Sequence, residues 1–332
     1  MTASPPPSAA PGRACDRAAP FVVVLCGPTA AGKTAVGIRL ARELDGEIVS
    51  ADALQVYRRL NLGTAKPTPE ERALVAHHLI DVVEPDEPFD AARYVALARP
   101  AVADILRRGK IPLVVGGTGL YIRALLHGLF PAPAVDPAVR VRLAAELTAR
   151  GAEALHARLA QCDPETARRL HPRDTARILR ALEVFEATGR PISVLQRAHR
   201  FADSPYASRV FGLRLERAAL YARIDRRVEE MLAAGLEDEV RGLLAAGFSP
   251  ALKPMQALGY RHIVAWLEGR IPREEAVRTM KRDTRRYAKR QLTWFRATPG
   301  IRWFSPEDLP AILAACREFL ASLRPSRPHP QA

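Results

Sequence analysis

The sequence predicts an α/β protein: a parallel sheet flanked by helices, with an inserted all-helical domain. Three observations predict it. Short, near-continuous apolar runs of strand length alternate with helical stretches through the first part of the chain, a pattern expected of parallel strands buried on both faces. The first of these runs stops at a glycine-bearing turn and is followed at once by a helical stretch. From Pro131 to Pro205 the strand-like runs vanish and Arg, Glu and helical spacing take over, after which a strand pattern returns.

In chain order, Phe21-Val22-Val23-Val24-Leu25 is a β-branched run that ends at Cys26-Gly27, and Ala35 to Leu44 is helical. Glu47-Ile48-Val49-Ser50 is a second strand ending at Asp52, and a third is expected around Leu79 to Val83. A helix from about Asp90 to Arg108 leads to a strand at Ile111-Pro112-Leu113-Val114-Val115, which ends in Gly116-Gly117-Thr118-Gly119. Strands return at Val210 to Leu215 and at Ile301-Arg302-Trp303-Phe304. The expected organisation is a disordered leader over 1–20, a catalytic core over 21–130 and 206–322, the helical insertion over 131–205, and a disordered tail over 323–332.

The 332 residues carry 50 basic and 36 acidic side chains, a net charge of +14, and 48% hydrophobic residues. That composition excludes wholesale disorder and fibrous repeats, and the charge points to a polyanionic partner, nucleic acid first. Cys15, Cys26, Cys162 and Cys316 are scattered without metal-site spacing, and the adjacent His77-His78 pair would point to opposite faces of a strand. Neither a disulfide framework nor a zinc site is expected. The leader lacks the apolar stretch of a signal peptide and no run approaches a membrane span, so a cytoplasmic protein is expected, with a monomer as the default.

Gly27-Pro28-Thr29-Ala30-Ala31-Gly32-Lys33-Thr34 fits G-x-x-x-x-G-K-T between a strand and a helix, which is the context a P-loop requires. Its backbone N–H groups converge on a phosphate, the helix directs its positive end there, Lys33 adds a full charge, and Thr34 offers a hydroxyl to Mg²⁺. The motif reads a phosphate and not a base. The strand ending at Val115 supplies no carboxylate where many P-loop nucleotidases place one, whereas Asp52 follows the second strand. In an open parallel sheet the strand ends line one crevice, so Gly32, Asp52 and Thr118 are expected to face a common site suited to group transfer from a phosphorylated donor.

These residues resemble those of the tRNA dimethylallyltransferases, whose P-loop takes this Gly-Pro-Thr form. Asp52-Ala53-Leu54-Gln55-Val56-Tyr57, Leu62-Gly63-Thr64-Ala65-Lys66-Pro67 and His78-Leu79-Ile80-Asp81 are similar to the family's following blocks. Gly116 to Tyr121, Arg177 to Glu183, Gly259-Tyr260-Arg261, Thr284 to Gln291 and Thr293 to Arg296 continue them in order. Ala53 departs from the usual serine, and the Cys/His spacing of the zinc finger found in eukaryotic members is missing, so the likeness is to the bacterial form.

The resemblance implies a P-loop NTPase-like sheet with a helical tRNA-binding insertion. It implies transfer of a dimethylallyl group from dimethylallyl diphosphate to the exocyclic amine of the adenosine 3′ to the anticodon, in tRNAs reading codons that begin with U, with Mg²⁺. Asp52 is then the general base, Thr118 serves the bridging oxygen of the leaving group, and Arg223 clamps the diphosphate. tRNA contacts are implied for Asp52, Ala53, Leu54, Gln55, Thr118, Arg140, Ala176, Arg177, Ile178, Leu179, Arg180, Gln256, Ala257, Leu258, Gly259, Tyr260 and Arg261.

Helical spacing places Arg173, Arg177 and Arg180 on one side of a helix, free for phosphates, and Ile178, Leu182 and Phe185 on the other. A second amphipathic stretch, Lys281 to Arg296, groups Arg282, Arg285, Arg286, Lys289 and Arg290 on one arc and Tyr287, Trp294 and Phe295 toward the core. A small-molecule kinase, a transferase acting on free adenine nucleotides, and an RNA-binding ATPase switch also use a P-loop. The first two give no role to a basic helical insertion, and the third lacks an evident water-activating residue.

Overall fold

The computed structural model describes residues 19–129, 136–199 and 204–323. The expected leader and tail, and the Pro131 to Pro133 junction, therefore lie almost wholly outside the described residues. The described chain forms two compact units, one running up to Ile122 and resuming at Tyr206, the other Arg123–Pro205.

The first unit opens with β1 (Phe21–Cys26), α1 (Lys33–Glu43), β2 (Gly46–Ser50), α2 (Pro69–Leu74) and β3 (His77–His78). It continues with α3 (Ala91–Arg107), β4 (Ile111–Gly116) and the start of α4 (Gly119–His127). The second unit holds α5 (Pro137–Cys162), α6 (Pro164–Arg169), α7 (Thr175–Thr188) and α8 (Ile192–His199). The chain then returns with β5 (Ala207–Leu213), α9 (Arg217–Ala233), α10 (Leu236–Ala245) and α11 (Tyr260–Leu267), and ends with α12 (Arg273–Arg296), β6 (Ile301–Phe304) and α13 (Leu309–Ser322).

Six parallel strands make one sheet in the order β3-β2-β4-β1-β5-β6. Alternation along each strand explains its two dry faces. Val23, Leu25, Ile48, Leu113, Val115, Phe211 and Leu213 join α1 and α13 in one core cluster. Val22, Val24, Val49 and Val114 are fully buried on the opposite side, where α3 packs against β2 and β4. Helix starts follow local chemistry: Thr68 and Glu71 form a capping box on α2, and Asp90 and Asp308 cap α3 and α13.

The third strand differs from expectation. It is the pair His77–His78, in register with Ile48 and Val49, and not the apolar stretch after it. Leu79 and Asp81 take left-handed φ values of 62° and 57°, which extended pairing does not allow. The turn is pinned because the Asp81 carboxylate accepts from Lys66 Nζ at 2.6 Å and Arg72 Nη1 at 2.7 Å. Leu79 and Ile80 are buried within that turn, so their apolar character reported burial and not a strand. His78 Nε2 lies 2.8 Å from Glu47 Oε2, and His77 Nδ1 lies 2.8 Å from the Val75 carbonyl.

The second unit has its own core, in which Leu143, Leu155, Leu159, Ile178 and Leu182 are buried together. Asp163 caps α6 through Thr166 and also accepts from Ser193 N at 3.0 Å, tying α6 to α8. The free arginine stripe expected on α7 is corrected on two counts. Arg173 precedes the helix, and the others are paired: Arg177 with Asp174, and Arg180 with Glu183 at 3.1 Å. Glu183 is buried and also accepts from Arg140 at 2.7 Å, and the two guanidiniums, Arg140 foremost, hold its carboxyl below the usual range. Ile178 is fully buried and its side chain packs in this core.

Candidate active site

The P-loop leaves β1 at Cys26 and enters α1 at Lys33. A Cβ on Gly27 would stand 2.8 Å from the Leu213 carbonyl oxygen, so only glycine lets the loop pass β5 this closely. Gly32 takes a left-handed φ of 88° as it caps α1. Lys33 bends back across the loop and donates from Nζ to the Pro28 carbonyl at 2.8 Å. Desolvation pushes its pKa down to about 8; Asp52 opposes that shift and Arg227 adds to it. A bound anion would raise that pKa again and favour the charged form.

The ends of β2 and β4 bring the second set of groups. Ala51 N donates to the Val115 carbonyl at 2.8 Å and Thr118 N returns a bond to the Ala51 carbonyl at 3.1 Å, so the two loops are laced together. Asp52 Oδ1 accepts from Leu54 N at 2.8 Å and Gln55 N at 3.2 Å. Among the described residues its Oδ2 carries no hydrogen bond. Ala53 N donates to Thr118 Oγ1 at 3.0 Å, which places Thr118 beside Asp52 and leaves the threonine's own hydrogen to be given elsewhere. This bond comes from the backbone of Ala53 and is indifferent to the missing serine hydroxyl.

A cavity of about 790 Å³ opens over these loops, wholly within the first unit. Thr29, Ala30, Gly32, Lys33 and Thr34 border it, with Asp52, Ala53, Leu54 and Gln55 on a second side. Arg223, Gln256, Ala257, Leu258 and Arg261 also border it. Gly27, Pro28 and Ala31 form the back of the loop. Six cationic side chains and three carboxylates (Asp52, Glu71 and Glu230) line the walls, so the cavity favours an anion. Arg223 reaches Glu307 Oε1 at 3.2 Å and its guanidinium lies beside Gly32.

Tyr260, expected at the tRNA, is instead fully buried, and its hydroxyl donates to Glu239 Oε1 at 2.6 Å. Glu239 also accepts from the backbone N–H groups of Asn61, Leu62 and Gly63, so the pair shapes the loop carrying Gly63, Thr64 and Ala65 along the cavity rim. Gly259, with φ 89°, opens α11 and does not border the cavity. Arg140, Ala176, Arg177, Ile178, Leu179 and Arg180 belong to the second unit: Ala176 and Arg177 are exposed, and Leu179 packs against that unit's core.

Sequence reasoning did not place four residues at this cavity. Gln291, buried on α12, accepts at Oε1 from Thr29 N at 2.9 Å and donates from Nε2 to the Gly117 carbonyl at 2.9 Å. Tyr287, one turn earlier, and the adjacent Arg290 border the cavity, with the Arg290 guanidinium 5.7 Å from the Tyr287 ring centre. Arg227 borders it from α9. Gln291 carried a signal, since it ends the Thr284 to Gln291 block, whereas Arg227 offered only its place one helical turn after Arg223. Trp294 was expected in the core with Phe295; only Phe295 is buried, and Trp294 lies over Gly119 at the surface.

Residues 55–298 match the family described as IPP transferase, and residues 20–81 match that described as isopentenyl transferase. A tRNA dimethylallyltransferase of Desulfosudis oleivorans is 56% identical over 87% of this chain and 92% of its own length. One from Syntrophobacter fumaroxidans is 55% identical over 88% and 86%. Among solved structures, the full-length tRNA isopentenylpyrophosphate transferase of Bacillus halodurans superposes with a TM-score of 0.69 at 39% identity, covering 92% of this chain and 98% of that one. A eukaryotic dimethylallyltransferase captured acting on tRNA gives 0.76 at 28% identity, covering 93% and 81%. The likeness runs through the Gly27 to Thr34 loop, the strand-end aspartate and the other walls of the cavity, and the chain is a member of the IPP transferase family.

Proposed function

We propose that this chain transfers the dimethylallyl group of dimethylallyl diphosphate to the N6 amine of the adenosine 3′ to the anticodon, in tRNAs reading codons that begin with U. The observation that carries this reading is the bond from Ala53 N to Thr118 Oγ1, which sets the threonine hydroxyl beside Asp52; the aspartate borders the cavity, and Thr118 itself does not. The adenine amine is a poor nucleophile because its lone pair is delocalised. As its nitrogen bonds to C1 of the dimethylallyl group, the C1–O bond breaks, the bonding pair leaves with diphosphate, and the amine proton passes to Asp52. Two backbone amides fix the aspartate through Oδ1, which supports Oδ2 as the oxygen that takes the proton.

Thr118 then donates to the bridging oxygen, while the P-loop amides, Lys33 and Arg223 hold the terminal phosphates. Placing donors where charge develops is commonly the largest catalytic contribution. A divalent ion fits the oxygen donors at this site, the Thr34 hydroxyl and the substrate phosphates, and we assign Mg²⁺. Among the described residues no group of three or more His, Cys, Asp or Glu could hold a metal alone, which agrees with an ion held chiefly through substrate. When bound, Mg²⁺ supplies charge neutralisation on the diphosphate. The Arg123–Pro205 unit, with Arg140, Ala176, Arg177 and Arg180, is assigned to the tRNA, with Gln256 to Arg261 near the anticodon. No helix among the described residues is long and apolar enough to cross a membrane, and a cytoplasmic monomer is the working form.

The test is incubation of the protein with Mg²⁺, dimethylallyl diphosphate and unmodified tRNA, followed by mass spectrometry of the digested nucleosides. A dimethylallyl gain confined to tRNAs with adenosine 3′ to the anticodon is expected. Prenylation of free adenosine phosphates without any on tRNA would overturn the tRNA assignment, and ATP consumption without transfer would point to a kinase.

A further inference from the structure

Helix α9 presents one face to the cavity: Arg223, Ile224, Arg227, Val228 and Met231 recur at the spacing of a single helical side, and all border it. Three arginines of α9 border the cavity; Arg226 is exposed to water, and the other two differ from each other. Arg223 has a carboxylate partner in Glu307. Arg227 is half-buried between Ile224 and Val228, both buried, and makes no ion pair or hydrogen bond with any described residue.

We propose that Arg227 is a catalytic residue of this site, a guanidinium that faces Lys33 across the cavity, binds the diphosphate and stabilises the charge collecting on it as the C1–O bond breaks. This rests on the transfer reaction proposed above. Withdrawing a guanidinium from water without a partner is unfavourable, and folding retains such a group where an anion completes it. Lys33 and Arg227 both border the cavity, so two cations converge on one space, and Arg227 adds to the desolvation that depresses the Lys33 pKa. Burial lowers the pKa of Arg227 itself, against the pull of Asp52, Glu230 and Glu71, none of which closes to an ion pair. Asp52 cannot both neutralise Arg227 and accept the amine proton, so the compensating charge must come from the substrate. Diphosphate is the anion of that size and charge the P-loop recruits. Arg223 is already paired and Arg226 is exposed to water, which leaves Arg227 as the half-buried arginine of α9 with its donors uncommitted.

The test compares wild type with Arg227→Met and Arg227→Lys in three measurements: kcat for transfer to tRNA, calorimetric affinity for inorganic diphosphate with Mg²⁺, and melting temperature without ligand. Arg227→Met should lower kcat by about 10²–10³-fold, the range for loss of a donor at a developing anion. It should weaken diphosphate at least tenfold and leave the ligand-free melting temperature unchanged or higher, because an unpaired, half-buried charge is gone. Arg227→Lys should recover part of the diphosphate affinity. Wild-type diphosphate affinity in Arg227→Met would overturn the assignment, as would a fall of several degrees in its melting temperature, which marks a structural arginine. If wild type itself transferred nothing to tRNA while diphosphate binding still depended on Arg227, the reaction assigned above would fail and the anion site would stand.

Discussion

Asp52 is fixed by its own chain and by nothing distant: its Oδ1 is held by Leu54 N and Gln55 N, two and three residues on. That local anchoring made the residue legible from sequence, because a strand, an aspartate and the turn it caps are contiguous. Asp52→Ala removes the proton acceptor without touching the cradle. It should lower kcat by about 10²–10⁴-fold while tRNA affinity, measured by filter binding, stays within about twofold. Wild-type turnover in the variant would remove Asp52 from the base role. Arg227 was not legible in the same way. Its neighbours in sequence are ordinary charged helix residues, and only the fold shows that it is the arginine on that helix held half-buried without an ion pair. At the residue scale, a side chain's chemistry is readable when its partners lie within a few positions, and unreadable when it depends on a partner that is missing.

Elements carry a second kind of information. The apolar periodicity of α12 places Ala288, Gln291 and Phe295 on its buried face, and a lone glutamine among them reads as a defect. The fold gives it two partners 262 and 174 residues away in sequence, Thr29 N and the Gly117 carbonyl. One amide thereby sets the spacing between the P-loop and the loop carrying Thr118. A Cβ on Gly117 would come within 2.4 Å of its Nε2, so that glycine and Gln291 fit only each other. Gln291→Leu keeps the volume and strips both bonds, leaving a buried N–H and a buried carbonyl without partners. A loss of about 2–4 kcal/mol of stability is expected by chemical denaturation, with kcat falling further than KM rises. Gln291→Glu retains the acceptor for Thr29 and should recover a share of kcat. If both variants turned over like wild type, the amide would have no positioning role. The third strand shows the opposite failure: Leu79 and Ile80 carry a strand's composition, but Asp81 anchored to Lys66 and Arg72 imposes a turn that no apolar pattern encodes.

Across the whole molecule, the net charge of +14 favours a polyanion without saying which surface meets it. Many arginines are committed inside the protein. In the second unit Arg140 and Arg180 share Glu183, and Arg177 pairs with Asp174, so these groups reach a phosphate only by exchanging or sharing a carboxylate. Their ion pairs lower the electrostatic gain per arginine, but release of counterions from the tRNA depends on the phosphates neutralised and not on the count of basic residues. Contact with about six phosphates would give a log-log slope of affinity against salt near −5, or about a thousandfold loss between 50 and 200 mM. Titration of tRNA binding over that range checks it, and a slope shallower than about −2 would contradict a broad phosphate interface. Arg177→Ala should flatten the slope by about one and weaken all tRNAs alike, the mark of a backbone contact. Asp174→Asn should do the reverse at the same place, freeing Arg177 and steepening the slope. If neither substitution moved the slope, the arginine would belong to its helix alone, and the positive charge that meets tRNA would have to be sought among the cationic walls of the first unit.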